Sequence, residues 1–286
     1  MILAADIGGT KMLAALIDGA TVRAEREVPT PRAFDAEAWC DVLADLVADW
    51  AGQYRTAAAA VTGRVGNGRW YTLNPAILPI PEAFPLAEAL GDRLGVAVTL
   101  ANDAQAAAWG EHRHGAGAGE DIVFLTLSTG IGGGVVSGGR LLVGPHGVAA
   151  SVGQTSLGVS SGIRVEDVAG GGAMAIAASA AGHETDARGV FAASTAGESW
   201  AESIVAGAAT IIARLVLDLQ KLFDPAYVVI GGSIGLAPGF LDRLRTLLAD
   251  TPEPFHPEIR AAGLGKHAGV IGVADLARQT LTAKGD

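Results

Sequence analysis

Four short stretches of this chain gather side chains that could do chemistry. Asp6-Ile7-Gly8-Gly9-Thr10-Lys11 sets a carboxylate at the end of an apolar run, then two glycines, a hydroxyl and an ammonium. Backbone amides at such glycines can approach a phosphate, and the flanking groups could hold a polyphosphate and its magnesium ion. An ordinary Gly-Gly hairpin turn has the same composition. The spacing is not that of a P-loop, which needs GxxxxGK[ST]. Ser128-Thr129-Gly130-Ile131-Gly132-Gly133-Gly134 offers a second set of amides and hydroxyls just after another apolar run. It fails the dinucleotide fingerprint GxGxxG, because Val135 stands where the third glycine is required. Gly231-Gly232 follows a third apolar run, where glycines admit a flat ring or a phosphate near a helix start, or simply turn the chain. In Asn102-Asp103 a carboxylate falls in the first turn of an Ala-rich helix. There it can cap the helix, or take the proton from a hydroxyl that attacks a terminal phosphate. Leu73-Asn74-Pro75 adds an amide that can both donate to and accept from sugar hydroxyls, although Asn-Pro is also a turn signal.

Metal and thiol chemistry have little material. Cys40 is the single cysteine, which excludes an internal disulfide and a cysteine-clustered zinc site, and it is expected to pack as a small apolar residue in the helix over 35–51. The six histidines include no HExxH pair. His112 and His114 are two apart near a helix end, hence on different faces, and both are expected to be solvated at the surface.

The elements that position these groups follow from periodicity and punctuation. Apolar runs at 2–5, 12–17 and 22–28, separated by glycine turns, read as a three-strand meander. Helical spacing follows at 35–50 and 85–94, with strands at 57–61 and 96–100. After the Gly-Ala run 115–119, a strand at 122–127, a glycine turn at 129–134 and strands at 135–136 and 141–143 repeat the opening pattern. Helices at 165–180, 199–223 and 240–248, strands at 227–230 and 258–261, and a last helix from about Ala268 complete the chain. Two β-rich α/β units that each open on a glycine turn suggest paired ribonuclease-H-like domains, of the actin and hexokinase type, flanking an active-site cleft that holds nucleotide. The expected boundaries are residues 1–114, joined by the last helix over 268–286, and residues 115–267.

Length and composition agree with two such domains. The chain has 286 residues, half of them apolar and 17% charged, which suits buried cores and not a disordered or fibrous chain. Thirty acidic residues against twenty Lys and Arg leave a net charge of −10, so DNA and RNA are poor candidates and no nucleic-acid partner is expected. The best candidate for a membrane span, 204–219, is short and carries Arg214 and Asp218. No secretion signal is legible at the start, and a cytoplasmic location without membrane attachment is expected.

Taken together, DIGGTK at 6–11, LNP at 73–75, NDAQAAAWGEH at 102–112, LTLSTGIGGGVVSGGRLLVGPHG at 125–147 and IGG at 230–232 resemble the ROK family (repressor, ORF, kinase), in order and over nearly the whole chain. Within that family the NDAQAAAW, LNP and GPHG stretches are most similar to N-acetylmannosamine kinases. The resemblance implies phosphorylation of the 6-hydroxyl of N-acetylmannosamine by ATP with Mg²⁺, a step of sialic acid catabolism, in a cytoplasmic homodimer whose domains close over the substrates. It implies that Asp103 is the catalytic base and that Asn102, Asn74 and Glu166 contact the sugar. Asp6, Gly8, Gly9, Thr10 and Lys11 would form the first phosphate loop, with magnesium near Asp6. Thr129, Gly130, Gly132 and Gly133 would form the second, and Gly231 and Gly232 would lie near the adenosine.

One stretch departs from the family pattern. Where members carry an E-I-G-H or H-I-G-H segment and then a CxCGxxGCxE zinc motif, this chain reads Ala150-Ser151-Val152-Gly153-Gln154 and, at 158–166, GVSSGIRVE. No cysteine is present, and Gln154 stands where the zinc-binding His would be, so zinc is expected to be absent. Ser151 replaces a Glu or His that would contact the sugar. Three alternatives stay open or are weighed on sequence: a glucokinase or other hexose kinase of the same family, a catalytically weak sugar-binding sensor, and a repressor. The last would need a winged-helix segment ahead of DIGGTK, for which five residues leave no room.

Overall fold

The structure, a computed structural model, describes residues 1–31, 35–72, 83–157, 159–160 and 162–283. The chain forms two compact units, the first comprising 1–115, 143–149 and 266–286 and the second 116–142 and 150–265.

In the first unit, β1 (Ile2–Ile7), β2 (Lys11–Asp18) and β3 (Thr21–Pro29) form the antiparallel meander, and β1 and β2 are buried for most of their length. After α1 (Ala36–Leu46), capped by Asp35 accepting from the Glu37 N–H, comes β4 (Ala57–Val61), whose five residues are all buried. The helix expected to reach Trp50 stops at Leu46 and gives way to a separate 3-10 turn over Ala48–Trp50. The short pair β5 (Arg64–Gly66) and β6 (Arg69–Tyr71) had no clear sequence signal. Then follow α2 (Leu86–Leu94), β7 (Val98–Asn102) and α3 (Asp103–His114). Strand β7 runs two residues later than periodicity suggests, because Gly95 ends α2 in the left-handed region and in-register pairing with β4 then carries the strand on to Asn102. The sheet order is β3-β2-β1-β4-β7, with β1, β4 and β7 parallel.

The second unit repeats this arrangement. Strands β8 (Ile122–Leu127), β9 (Ile131–Ser137) and β10 (Arg140–Leu141) form an antiparallel meander. The helices α4 (Glu166–Ala169), α5 (Gly171–Ala180), α6 (Ala187–Thr195) and α7 (Ser199–Phe223) follow. Next come β11 (Tyr227–Gly231), the one-turn α8 (Gly232–Gly235), α9 (Phe240–Leu248) and β12 (Ile259–Ala261). The chain then returns to the first unit as α10 (Ala268–Ala283). The sheet order β10-β9-β8-β11-β12 matches the first sheet strand for strand, with β8, β11 and β12 parallel. One ribonuclease-H-like unit built twice is the fold class expected from sequence.

Three sequence expectations are corrected here. The glycine turn expected over 129–134 spans only Ser128–Gly130, and Gly132, Gly133 and Gly134 lie in β9, opposite Thr126, Leu125 and Phe124. Residues Ala150 and Val152 pack against that strand: a Cβ on Gly133 would come within 2.8 Å of a Val152 methyl and 3.0 Å of the Ala150 carbonyl. The helix expected over 165–180 is broken at Gly170, because α5 restarts with its Gly171 and Gly172 amides donating to the Ser128 and Thr129 carbonyls (2.8 and 2.9 Å). His112 is not at the surface. It is 4% exposed and lies beside Trp109, with ring centroids 5.1 Å apart. His114 Nε2 sits 3.3 Å from the buried Asp275 carboxylate of α10. The cause is α10, a distant segment that covers α3.

Helix α7 is long and apolar enough to cross a membrane by length and composition. Its apolar face, including Val205, Ile212, Val216 and Leu219, belongs to the core of the second unit. Cys40 is fully buried in the other core, and burial pushes its thiol up to about 12, as befits an inert packing residue.

Candidate active site

The register of the first sheet gathers chemistry at one end. Asp6 pairs with Ala60, which pairs with Ala101, so Asp6, Thr62, Asn102 and Asp103 all emerge where the parallel strands β1, β4 and β7 finish. The carboxyl ends of parallel strands are where open α/β sheets bind ligands.

Asn102 is both the last residue of β7 and the N-cap of α3. Its Oδ1 accepts from the Gln105 N–H (3.0 Å), and its Nδ2 donates to the Gly63 carbonyl (2.8 Å) and to Asp103 Oδ1 (2.9 Å). Both amide hydrogens are thus spent on the protein itself. Asp103 Oδ1 also accepts from the Ala104 N–H (2.8 Å), and Oδ2 accepts from the Thr62 hydroxyl (2.9 Å). A carboxylate offers about four lone-pair positions. Three are used, and the one left, on Oδ2, can receive a proton from a substrate hydroxyl. Burial raises the Asp103 pKa, opposed by the hydrogen bonds from Thr62, Ala104 and Asn102. Such a carboxylate is fixed in direction and more basic than an exposed one.

Asp6 is pushed up to about 7, first by burial and then by the neighbouring charge of Asp103, against the pull of Lys11. It faces the first turn of α10, where a Cβ on Gly269 would lie 3.2 Å from Oδ2. A hard divalent cation beside Asp6 would relieve this unfavourable charge, and an oxygen donor is the ligand type that magnesium takes.

The Gly8–Lys11 turn is a hairpin between β1 and β2. The Gly8 N–H donates to the Lys11 carbonyl (3.1 Å), and Thr30 holds the turn from the side, its hydroxyl donating to the Gly8 carbonyl (2.6 Å) and its N–H to that of Thr10 (3.0 Å). Gly9, Thr10 and Lys11 are exposed, and Lys11 Nζ donates to Glu27 (2.7 Å). Asn74 lies outside the described residues.

The second sheet brings its own candidates to the equivalent end. Thr129 and Gly130 follow β8, and Gly231 and Gly232 join β11 to α8. Gly232 has φ +84, and a Cβ there would fall 2.2 Å from the Leu127 carbonyl oxygen. That turn demands glycine whether or not a ligand is near. Ser233, on α8, brings its hydroxyl 3.4 Å from that of Ser128.

Glu166 opens α4 beside the Ser128–Gly130 turn. Its Oε1 accepts from Gln154 Nε2 (2.6 Å) and its Oε2 from the Ile131 N–H (3.5 Å), while a Cβ on Gly130 would meet Oε2 at 3.0 Å. Gly132 and Gly133, also expected in the second phosphate loop, are held in β9 instead of the turn. Sequence reasoning missed Thr62, Thr30 and Arg164. The first could have been suspected only from its place directly after a buried strand, as Asn102 stands after another.

The model of the ROK family matches residues 2–280 of this chain. The bifunctional enzyme NanE/NanK of Brucella melitensis is 51% identical over 277 residues, which cover 96% of this chain and 54% of that protein. This chain therefore spans about half the length of that relative. N-acetylmannosamine kinase of Shigella boydii is 41% identical over 285 residues, covering 96% of this chain and 98% of the relative. Among solved structures, a ROK family glucokinase from Streptomyces griseus in complex with glucose and AMPPNP superposes with a TM-score of 0.82 at 30% identity, over 97% of this chain and 99% of that one.

Proposed function

Because the chain belongs to the ROK family, we propose that it is a sugar kinase that transfers the γ-phosphoryl group of ATP to the 6-hydroxyl of N-acetylmannosamine. The two-domain fold of the actin and hexokinase type that the chain shares with its family suits that activity. The choice of sugar is supported by relatives that carry this name at 41% identity over nearly full length, and by a bifunctional relative at 51%.

The observation that carries the reaction is Asp103: a carboxylate fixed by three hydrogen bonds, with an unused lone pair and a raised pKa, at the carboxyl end of a parallel strand. Asp103 Oδ2 takes the hydroxyl proton as the sugar oxygen bonds to the γ-phosphorus, the bond from that phosphorus to the β-phosphate oxygen breaks, and ADP leaves. Asn102 and Thr62 keep the carboxylate aimed, Asn74 and Glu166 serve the sugar, and Asn102 would meet it only through the second lone pair of its Oδ1. The turns at 8–11 and 129–130 serve the phosphates, and Gly231 and Gly232 the adenosine. Magnesium arriving with ATP would neutralise phosphate charge, and Asp6 would hold it directly or through water. The reading that zinc is absent is supported by 150–166, which contain neither Cys nor His to make the family's zinc motif. The family resemblance further supports a cytoplasmic homodimer working in sialic acid catabolism.

The test is ADP release from ATP and Mg²⁺ over a panel of hexoses and N-acetylhexosamines. Turnover with N-acetylmannosamine is expected, and Asp103→Asn should lower kcat by about 100- to 10,000-fold while calorimetry still detects sugar binding. Asp103-dependent turnover on glucose alone would make the protein a hexose kinase. Sugar binding without turnover on any sugar would make it a sensor, with Ser151 the first position to examine.

A further inference from the structure

The base of the loop over 155–165 is closed by side chains as well as backbone. Between the loop's end residues, the Val165 N–H donates to the Thr155 carbonyl (2.9 Å). One residue further out on each arm, Gln154 Nε2 donates to Glu166 Oε1 (2.6 Å). Arg164 Nη1 in turn donates to Gln154 Oε1 (3.0 Å), and the same guanidinium grips Asp167 with Nε and Nη2, both at 2.7 Å. The order of this chain fixes the amide. A guanidinium can only donate and a carboxylate accepts, so the Gln154 oxygen must face Arg164 and its NH₂ must face Glu166. Glu166 is only 14% exposed on its side chain, so the amide holds a nearly enclosed carboxylate. With no thiolate or imidazole in 150–166, a zinc site of Cys and His ligands cannot provide this cross-link.

We propose that Gln154, oriented by Arg164, is the positioning residue that presents Glu166 to the sugar, doing with hydrogen bonds what the family's zinc motif leaves to a metal. This rests on the assignment of Glu166 as a sugar ligand. Gln154 fixes Oε1, the Ile131 N–H steadies Oε2, and the absence of a side chain on Gly130 leaves room for the carboxylate. With one contact on each oxygen the carboxylate is ordered before the sugar arrives, which lowers the ordering cost of binding.

The test measures N-acetylmannosamine affinity by calorimetry, and KM and kcat for sugar and ATP, in the full-length protein. Gln154→Ala should raise the sugar Kd and KM about tenfold while moving the ATP KM less than about twofold. Gln154→Glu fills the same volume without the N–H donor, so it should weaken sugar binding at least as much with the melting temperature nearly kept. The double variant Gln154→Ala/Glu166→Ala should be no worse than Glu166→Ala alone. If Glu166→Ala weakens sugar binding but neither Gln154 variant does, or if the two effects simply add, the positioning role is overturned and the sugar site stands. If Glu166→Ala leaves sugar binding unchanged, the assignment of Glu166 falls and the proposal with it. Metal analysis of the purified protein is an independent readout: close to one zinc per chain would overturn the proposal outright.

Discussion

Two carboxyl groups at the same end of the first sheet, Asp6 on β1 and Asp103 just past β7 with β4 between them, should set the pH behaviour. Asp103 must be ionised to accept a proton, and burial raises its pKa above the ordinary 3.8. The acid limb of kcat/KM for the sugar should therefore lie above the range of an exposed aspartate and vanish from the residual activity of Asp103→Asn. A limb at or below about 4 would refute the proposed base. Asp6 makes a separate prediction about stability. Its folded pKa of about 7 exceeds the ordinary 3.8, so between these values the folded state binds more protons than the unfolded, and stability falls as pH rises through that window. Without nucleotide or magnesium, Asp6→Asn should melt higher than the parent at pH 8, on the order of 5 °C, with the difference gone near pH 4. Equal melting at pH 8 would show that Asp6 carries no such strain. The sequence made Asp6, Asn102 and Asp103 legible because strand, glycine and cap signals converge on them. Thr62 stayed hidden, since a single hydroxyl after an apolar run has no pattern of its own. His112 was misread because its burial depends on a helix more than 150 residues away in sequence, at 268–283.

At the scale of elements, the proposed catalysis depends on how α3 is seated, because its first residue is Asp103. Helix α10 crosses it through glycines: a Cβ on Gly272 would stand 1.8 Å from the Ala106 carbonyl and 2.9 Å from the Gly110 nitrogen, and one on Gly110 would stand 2.5 Å from the Ala268 carbonyl. Backbone cannot swing away as a flexible side chain can, so Gly272→Ala must spread the two helices. A loss of about 3 kcal/mol in chemical unfolding is expected, with kcat reduced because Asp103 moves. Gly207 in α7 has nothing within 4 Å of its added Cβ, so Gly207→Ala should be neutral or stabilise by up to about 1 kcal/mol. Equal effects of the two would refute the packing argument. A polar lock crosses the same interface: Asp275 accepts from Trp109 Nε1 of α3 (2.9 Å), and Arg278 of its own helix steadies it from the side (2.9 Å). Burial pushes the Asp275 carboxyl up, but Trp109, His114 and Arg113 overcome it and hold it below the usual range. Little of this is readable locally. The helices at 103–114 and 268–283 announce themselves by spacing, but which glycines meet depends on tertiary packing. For the same reason the helix over 165–180 broke at Gly170, where the chain must satisfy the Ser128 and Thr129 carbonyls, and the glycines at 132–134 became strand where 150–152 press against them.

For the whole molecule, the repeated meander was visible in sequence because each copy alternates apolar runs with glycine turns. The pairing that makes both sheets run in the same order was not, since parallel partners such as β1 and β4 lie about 50 residues apart, at 2–7 and 57–61. Net charge is the other global property, and it bears on substrate capture. A chain of charge −10 repels ATP at long range, and the ammonium of the first turn is already paired, Lys11 to Glu27 at 2.7 Å. Raising the ionic strength from about 0.01 M to about 0.15 M shortens the Debye length from roughly 30 to 8 Å. This screens the distant acidic residues more than charges in direct contact with the nucleotide. With magnesium held low and constant, kcat/KM for ATP should therefore rise, by about two- to fivefold, while kcat/KM for the uncharged sugar stays flat as an internal control. A fall with salt would mean that positive potential at the glycine turns outweighs the net charge. A parallel change for both substrates would mean that salt acts on the fold and not on encounter.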